Sequence, residues 1–363
     1  MKHFFLFLLS FPLFFLCGDE KELYRETGKE PYIILSIDGG GIKGIIPATV
    51  LTLLEEELGC KCAQVFDCIG GTSTGGILAV GLATPDPLNP NLPEHTAQDL
   101  LDIYLTKHND IFYRPLFYKL TSMWGYLAPK YSNEGLRKLL QEELQQRTIN
   151  GSVCDIVIPA YDLTTHSSFC FEYFKNSKLD TPTQEFSSLD VVLATTAAPT
   201  YFPSVPVADP FRSHFTHNLI DGGIIANNPA EFILIECLKH VPLENRDIHI
   251  LSIGTGLEPE DSISYYESKD WGLFEYLNPL IDNLFDASSF LVEETLKELT
   301  KMKMLNAFRV NIPIPEEAAS MDNNEEENIA LLHELGKKCY YQNFIQSEQG
   351  QEFLKLLKSR IVN

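Results

Sequence analysis

Tyr32-Ile33-Ile34-Leu35-Ser36-Ile37, running into Asp38-Gly39-Gly40-Gly41-Ile42-Lys43-Gly44, decides the fold. The first six residues form a short, nearly continuous apolar run bounded by Pro31 and Gly39, the pattern of a strand buried on both faces. From Gly44 to Leu58, Pro47 sits in a first turn and Val50, Leu51, Leu54 and Leu58 recur at helical spacing. Gly59 stands just beyond, so a helix with a normal stop signal is expected. Val65 to Ile69 reads as a second short strand, followed by a glycine-rich turn and an apolar helix from Ile77 to Ala83 that Thr84-Pro85 ends. Strand, helix, strand, helix is the opening of a layered α/β unit.

Working outward, Pro85 to Pro93 carries four prolines and reads as a loop, and Thr96–Asn109 and Asn133–Gln146 have helical periodicity. Between those helices lies an aromatic-rich insertion, Ile111 to Tyr131. Strands are expected at Asp155–Tyr161, Ser168–Phe174, Asn218–Ile220, Ile248–Ile253 and Phe308–Ile312, with helices at Leu189–Ala198 and Glu231–His240. Glu325–Leu335 and Gln351–Leu357 are amphipathic and expected to pack on the outside. The alternation predicts an α/β fold of three layers, α/β/α, around a mainly parallel sheet.

The chain has 363 residues, with Lys+Arg 28 against Asp+Glu 50 and a net charge of −22. A chain of about 300 residues buries about 75% of its unfolded surface, so no disulfide or metal staple is required for a core. The negative balance removes the counterion-release term of nucleic-acid binding and disfavours adsorption to anionic lipid, so nucleic acid is excluded as the main partner. Eight cysteines are present, and without Cys17 the count is odd, which is not a disulfide framework. Cys60 and Cys62 have no second ligand pair at zinc-like spacing, and no metal site is assigned. Residues 1–18 place Lys2 ahead of an apolar run from Phe4 to Leu16, a secretory leader by pattern that implies export. The run is well short of the roughly 20 residues that span a bilayer, so no integral membrane span is expected. Cys17 directly after it fits lipid attachment, although Leu16 and Phe14 stand where cleavage favours small residues.

Three glycine-rich corners carry the chemistry. At Asp38 to Gly44, adjacent glycines let backbone N–H groups converge on a negative atom at a helix N-terminus, although Gly39-x-Gly41-x-x-Gly44 also fits a dinucleotide fingerprint. Gly70-Gly71-Thr72-Ser73-Thr74-Gly75-Gly76 contains G-x-S-x-G between an apolar strand and an apolar helix, the context of a nucleophile elbow. Gly71 and Gly75 allow the close strand–helix approach that leaves the Ser73 hydroxyl on the tip. A serine needs a base, and Asp221, at a strand end before Gly222 and Gly223, could serve if burial raises its basicity. A Ser–Asp–His order would need a histidine on a loop after the acid. His240, His249 and His333 fall at a helix end, in a strand and in a helix, while His166, His214 and His217 precede Asp221.

Together the corners resemble the patatin-like phospholipases, which pair a G-G-G-x-[KR]-G loop, a G-x-S-x-G serine and a D-G-[GA] aspartate in this order. Phe66-Asp67, Ala198 to Pro203, Asn227-Asn228-Pro229 and Leu251 to Gly256 extend the resemblance, which covers Pro31 to Ile312. It implies Ser73 as nucleophile, Asp221 as proton acceptor, and the backbone of Gly39, Gly40 and Gly41 as oxyanion donors. Lys43 stands where many members have arginine, and Gly44, Gly71, Gly75, Gly222 and Gly223 support the three motifs. The resemblance also implies a patatin-like domain over 31–312, after a 19–30 connector and before a C-terminal helical extension over 313–363. No cofactor is implied, and the substrate class is glycerophospholipids and acylglycerols. Lipid at a membrane or micelle surface is therefore the expected partner, and the aromatics and cations between Ile111 and Tyr131 suit such an interface or the mouth of an acyl groove. An esterase or thioesterase on small soluble acyl compounds, and a noncatalytic lipid- or partner-binding protein of this fold, remain alternatives.

Overall fold

The computed structural model describes residues 29–112, 128–144, 147–177, 185–258 and 263–361. The expected leader, Cys17 and nearly all of the expected connector lie outside these residues, as does most of the aromatic insertion. The strand that opens the fold, β1 (Glu30–Ile37), is buried on both faces. Side chains alternate across it. Ile33, Leu35 and Ile37 enter one apolar core, and Tyr32 and Ile34 enter the other. A period of two divided between two cores makes β1 the centre of a three-layer sandwich. Each such side chain contributes about 1.5–3 kcal/mol by leaving water.

The helix after β1, α1 (Ile45–Leu58), ends at Gly59, whose φ of 70° lets its N–H return to the Glu55 carbonyl at 2.8 Å. The second strand, β2 (Cys68–Gly71), starts later than expected. Residues Cys62–Gln64 form a 3-10 turn, and Asp67 accepts the Ile33 N–H, so strand pairing reaches into the glycines. Behind it come α2 (Thr74–Ala83), α3 (Ala97–Ile111) and α4 (Glu134–Leu144). The chain continues through β3 (Asp155–Asp162), β4 (Ser167–Tyr173), α5 (Ser188–Thr195), β5 (Val205–Ala208) and β6 (Thr216–Asp221). Then follow α6 (Ala230–His240), β7 (Arg246–Ile253), α7 (Leu273–Lys301), β8 (Asn306–Val310), α8 (Glu326–Lys338) and α9 (Glu348–Ile361).

The sheet runs β5-β6-β3-β2-β1-β7-β8, with β4 pairing with β3 off this path. Its centre is parallel, as the alternation predicts, and β4, β5 and β6 are joined antiparallel. Two elements escaped the sequence pattern, the edge strand β5, which Pro206 disguises, and the long helix α7. The helices α1 to α5, α8 and α9 cover one face, and α6 and α7 cover the other. The C-terminal segment is built into this sandwich, with Gly336 of α8 against Thr49 of α1. Among the described residues, no helix is long and apolar enough to cross a membrane.

Candidate active site

The parallel strands β1 and β2 end side by side, so the loops leaving them share one end of the sheet, where ligands of open α/β sheets bind. Ser73 follows β2 and opens α2 with φ 54° and ψ −119°, a conformation that costs a non-glycine residue of order 1–3 kcal/mol and clusters at functional sites. The turn holds because Gly71 has no Cβ, which would collide with the Gly75 carbonyl. Around it, the Thr72 hydroxyl donates to the Ala226 carbonyl at 2.5 Å and the Ser73 N–H to Thr195 Oγ1 at 3.1 Å. Thr195 Oγ1 in turn donates to the Pro159 carbonyl at 2.7 Å.

Asp221 ends β6 and is 2% exposed. Its Oδ1 accepts the Gly223 N–H at 2.7 Å. Burial pushes its carboxyl up to about 7, with hydrogen bonds from the Gly223 N–H and the Ser73 side chain pulling the other way. Ser73 and Asp221 thus line one cavity, and the Ser73 side chain favours the ionised carboxyl, although they lie 148 positions apart in sequence.

Of the three loop glycines, Gly39 differs from its expected role. Its N–H donates to the Asn227 carbonyl at 3.0 Å, so it is already engaged. The N–H groups of Gly40 and Gly41 have no acceptor among the described residues, and both glycines line the same cavity as Ser73 and Asp221. Gly41 has φ 60° and sits against the Met321 carbonyl, which accepts the Ile42 N–H at 2.8 Å. Lys43 is buried and turns away from the cavity to an ion pair with Glu258. Gly44 lies against Thr74, Gly75 against the Ile37 carbonyl and Gly222 against Pro159, while Gly223 contributes its N–H to Asp221.

The cavity, about 50 Å³, has an apolar wall that includes Ile77, Tyr104, Ile111 and Leu136. The same four residues also line a deeper cavity of about 20 Å³ reaching Leu139 and Leu140. The deeper space is a seam between α2, α3 and α4. At its mouth Phe112, Tyr131 and Phe202 form an aromatic triangle with centroids 5.5–6.4 Å apart. Tyr131 donates to Asp322 at 2.7 Å, tying this mouth to the C-terminal segment. No described histidine lines the cavity; His217 instead pairs with Asp162 at 2.7 Å. Sequence reasoning missed three contributors here, Met321, Phe285 and Thr195. Only their positions in space mark them, because none belongs to a motif.

A family model described as "Patatin-like phospholipase" matches residues 35–234. Among curated relatives, "Patatin-like protein 2" of Oryza sativa subsp. indica is 30% identical, over 85% of this chain and 84% of that protein. "Patatin-like protein 2" of Arabidopsis thaliana is 31% identical over 84% and 81%. "Probable inactive patatin-3-Kuras 1" of Solanum tuberosum is 29% identical over 91% and 94%.

Proposed function

The chain belongs to the patatin-like phospholipase family, and from that premise we propose that it is a serine acyl hydrolase that cleaves carboxylic esters of phospholipids or acylglycerols. One relative is described as inactive, so membership alone does not supply the activity. The reading is carried by one observation: Ser73, on its strained turn, shares a cavity with the buried carboxyl of Asp221 and with Gly40 and Gly41, whose N–H groups have no acceptor among the described residues.

In this mechanism Asp221 accepts the Ser73 proton as Oγ attacks the ester carbonyl carbon. The carbonyl oxygen becomes an oxyanion facing the N–H groups of Gly40 and Gly41, each worth about 2.7–4 kcal/mol in such a site. Collapse breaks the bond to the leaving alcohol, which takes the proton from Asp221, and leaves an acyl-enzyme. Water then attacks the acyl carbon and gives a proton to Asp221, and collapse breaks the bond to Ser73 Oγ, which takes that proton from Asp221 as the acid leaves. No cofactor enters these steps. The seam from Ile77 to Leu140 would take the acyl chain as α3 and α4 part around it.

The narrow cavity, about 50 Å³, favours a second reading, an esterase or thioesterase on small soluble acyl compounds. Fatty-acid release from phosphatidylcholine vesicles, measured beside hydrolysis of a short p-nitrophenyl ester, separates the two. A lipid hydrolase is expected to prefer the vesicles. A preference for the soluble ester would replace the lipid reading with the esterase, and inactivity on both would leave a noncatalytic binding protein.

The pH dependence has a definite sign. Asp221 must be ionised to accept a proton, so kcat/KM is expected to rise with pH and level off above about 7. The folded-state pKa lies above the ordinary 3.8, so the folded form binds this proton more tightly than the unfolded chain. This stabilisation is fully present below about pH 4 and is lost as pH rises through about 7. A pH–rate profile with its acid limb near 4 would contradict the raised pKa of Asp221, and loss of that limb in Asp221→Asn is expected if Asp221 is the base.

A further inference from the structure

Asp38, which leads into the glycine loop, is buried and gripped from behind. Arg309 Nη1 donates to its Oδ1 at 2.8 Å and Nη2 to its Oδ2 at 2.5 Å, a two-pronged contact. The same guanidinium donates from Nη1 to Ser252 Oγ at 2.8 Å and from Nε to Glu293 Oε1 at 2.9 Å. Register explains how the residues meet: Ser36 of β1 pairs with Ser252 of β7, which pairs with Arg309 of β8. The rung ends two residues before the loop begins.

The proposed chemistry uses none of these groups, and burying charges carries a desolvation penalty that often exceeds what the ion pair returns. Burial indeed pushes the Asp38 carboxyl up, against the opposing pull of Arg309. What the cluster does supply is direction. A run of three glycines has no side chains to hold it, and besides the Lys43–Glu258 ion pair its other anchors are single hydrogen bonds to Ile253, Asn227, Thr255 and Met321. Of the loop's contacts, the Arg309 fork alone joins two atoms of one group to two of another, which fixes orientation as well as distance.

We infer that Arg309 is a positioning residue for the oxyanion loop, holding Asp38 so that the Gly40 and Gly41 N–H groups converge where the oxyanion forms. This rests on the serine-hydrolase reading above. Arg309 also lines a separate cavity of about 620 Å³ with Ser252, Asn228 and Glu293, so a small cation can reach its place.

The test uses the full chain and a p-nitrophenyl ester. For Arg309→Ala, kcat is expected to fall about 10²-fold, the scale of a roughly 1 Å misplacement, with KM changed far less. Guanidinium ion at non-denaturing concentration should restore part of kcat to Arg309→Ala and none to Ser73→Ala. Arg309→Lys should fall between, because an ammonium cannot make the fork. Should Arg309→Ala fail to fold, Asp38→Asn/Arg309→Ala removes the stranded charge and decides the matter, with a folded but slow enzyme expected. Wild-type kcat in a folded Arg309→Ala or in the double variant, a loss confined to KM, or absence of guanidinium rescue overturns the inference. If the wild type itself hydrolyses no ester, the hydrolase reading falls and takes this inference with it; an active wild type with unaffected variants sinks the inference alone.

Discussion

Replacing Ser73 with alanine is expected to lower kcat for ester hydrolysis by about 10⁴-fold or more while the protein stays folded. The substitution keeps Cβ, so the turn at φ 54° meets no new steric conflict, and the Ser73 N–H contact to Thr195 is a backbone contact that survives. Only the nucleophile is removed. Asp221→Asn is expected to lose activity on a similar scale for a different reason. The amide oxygen still accepts the Gly223 N–H, but it cannot take a proton from Ser73. The pair is distinguished by stability. Asp221→Asn replaces a buried carboxylate that ionises reluctantly, so its melting temperature should exceed wild type at pH 8 and approach it at pH 5. Covalent labelling by a fluorophosphonate should disappear in Ser73→Ala, and labelling or turnover that persists there would exclude Ser73 as nucleophile.

Gly41→Ala is expected to cost about 10²–10³ in kcat, the loss typical of removing one oxyanion donor. Gly41 has φ 60°, and a Cβ there would collide with the backbone carbonyl of Met321, which cannot yield without breaking its bond to the Ile42 N–H. The loop must therefore turn, carrying the Gly40 and Gly41 N–H groups out of line. Gly59→Ala is the control. It has φ 70° but nothing within 4 Å of an added Cβ, so it shares the backbone strain, roughly 1–2 kcal/mol, without the collision. Both variants should melt somewhat below wild type, and only Gly41→Ala should lose activity. Equal activity in the two would mean that the Gly41 N–H plays no part in catalysis.

Much of the fold was legible because its decisive signals are local. The continuous apolar run of β1 could be buried only from both sides, and the spacing of Val50, Leu51, Leu54 and Leu58 suits a helix and no strand. The missed elements failed for equally physical reasons. Helix α7 follows Gly272, which offers no capping side chain, and carries Pro279 in its second turn, so its start reads as a loop. Strand β5 is Val-Pro-Val-Ala, and proline is tolerated there because β5 lies at the sheet edge. Val65 and Phe66 are apolar and extend the apparent β2, yet they lie between the 3-10 turn and the strand and are apolar because they pack into the core.

The candidate site divides along the same line. Composition and short-range sterics sufficed to mark Ser73 on a strand–helix corner, a glycine loop at a helix start, and Asp221 at a strand end, because each depends on residues within a few positions of itself. Which of these groups meet depends on long-range register. β6 runs antiparallel to β3 and overlaps it by three residue pairs, so Asp221 enters beside Ala160, past the point where β2 turns out toward Ser73. The engagement of the Gly39 N–H by Asn227, the closure of Gly41 by Met321 and the grip of Arg309 on Asp38 likewise come from residues 188, 280 and 271 positions away. Local sequence can dictate that a backbone will turn and which atoms it will expose; whether an exposed N–H is left open for an oxyanion depends on what the rest of the chain packs against it.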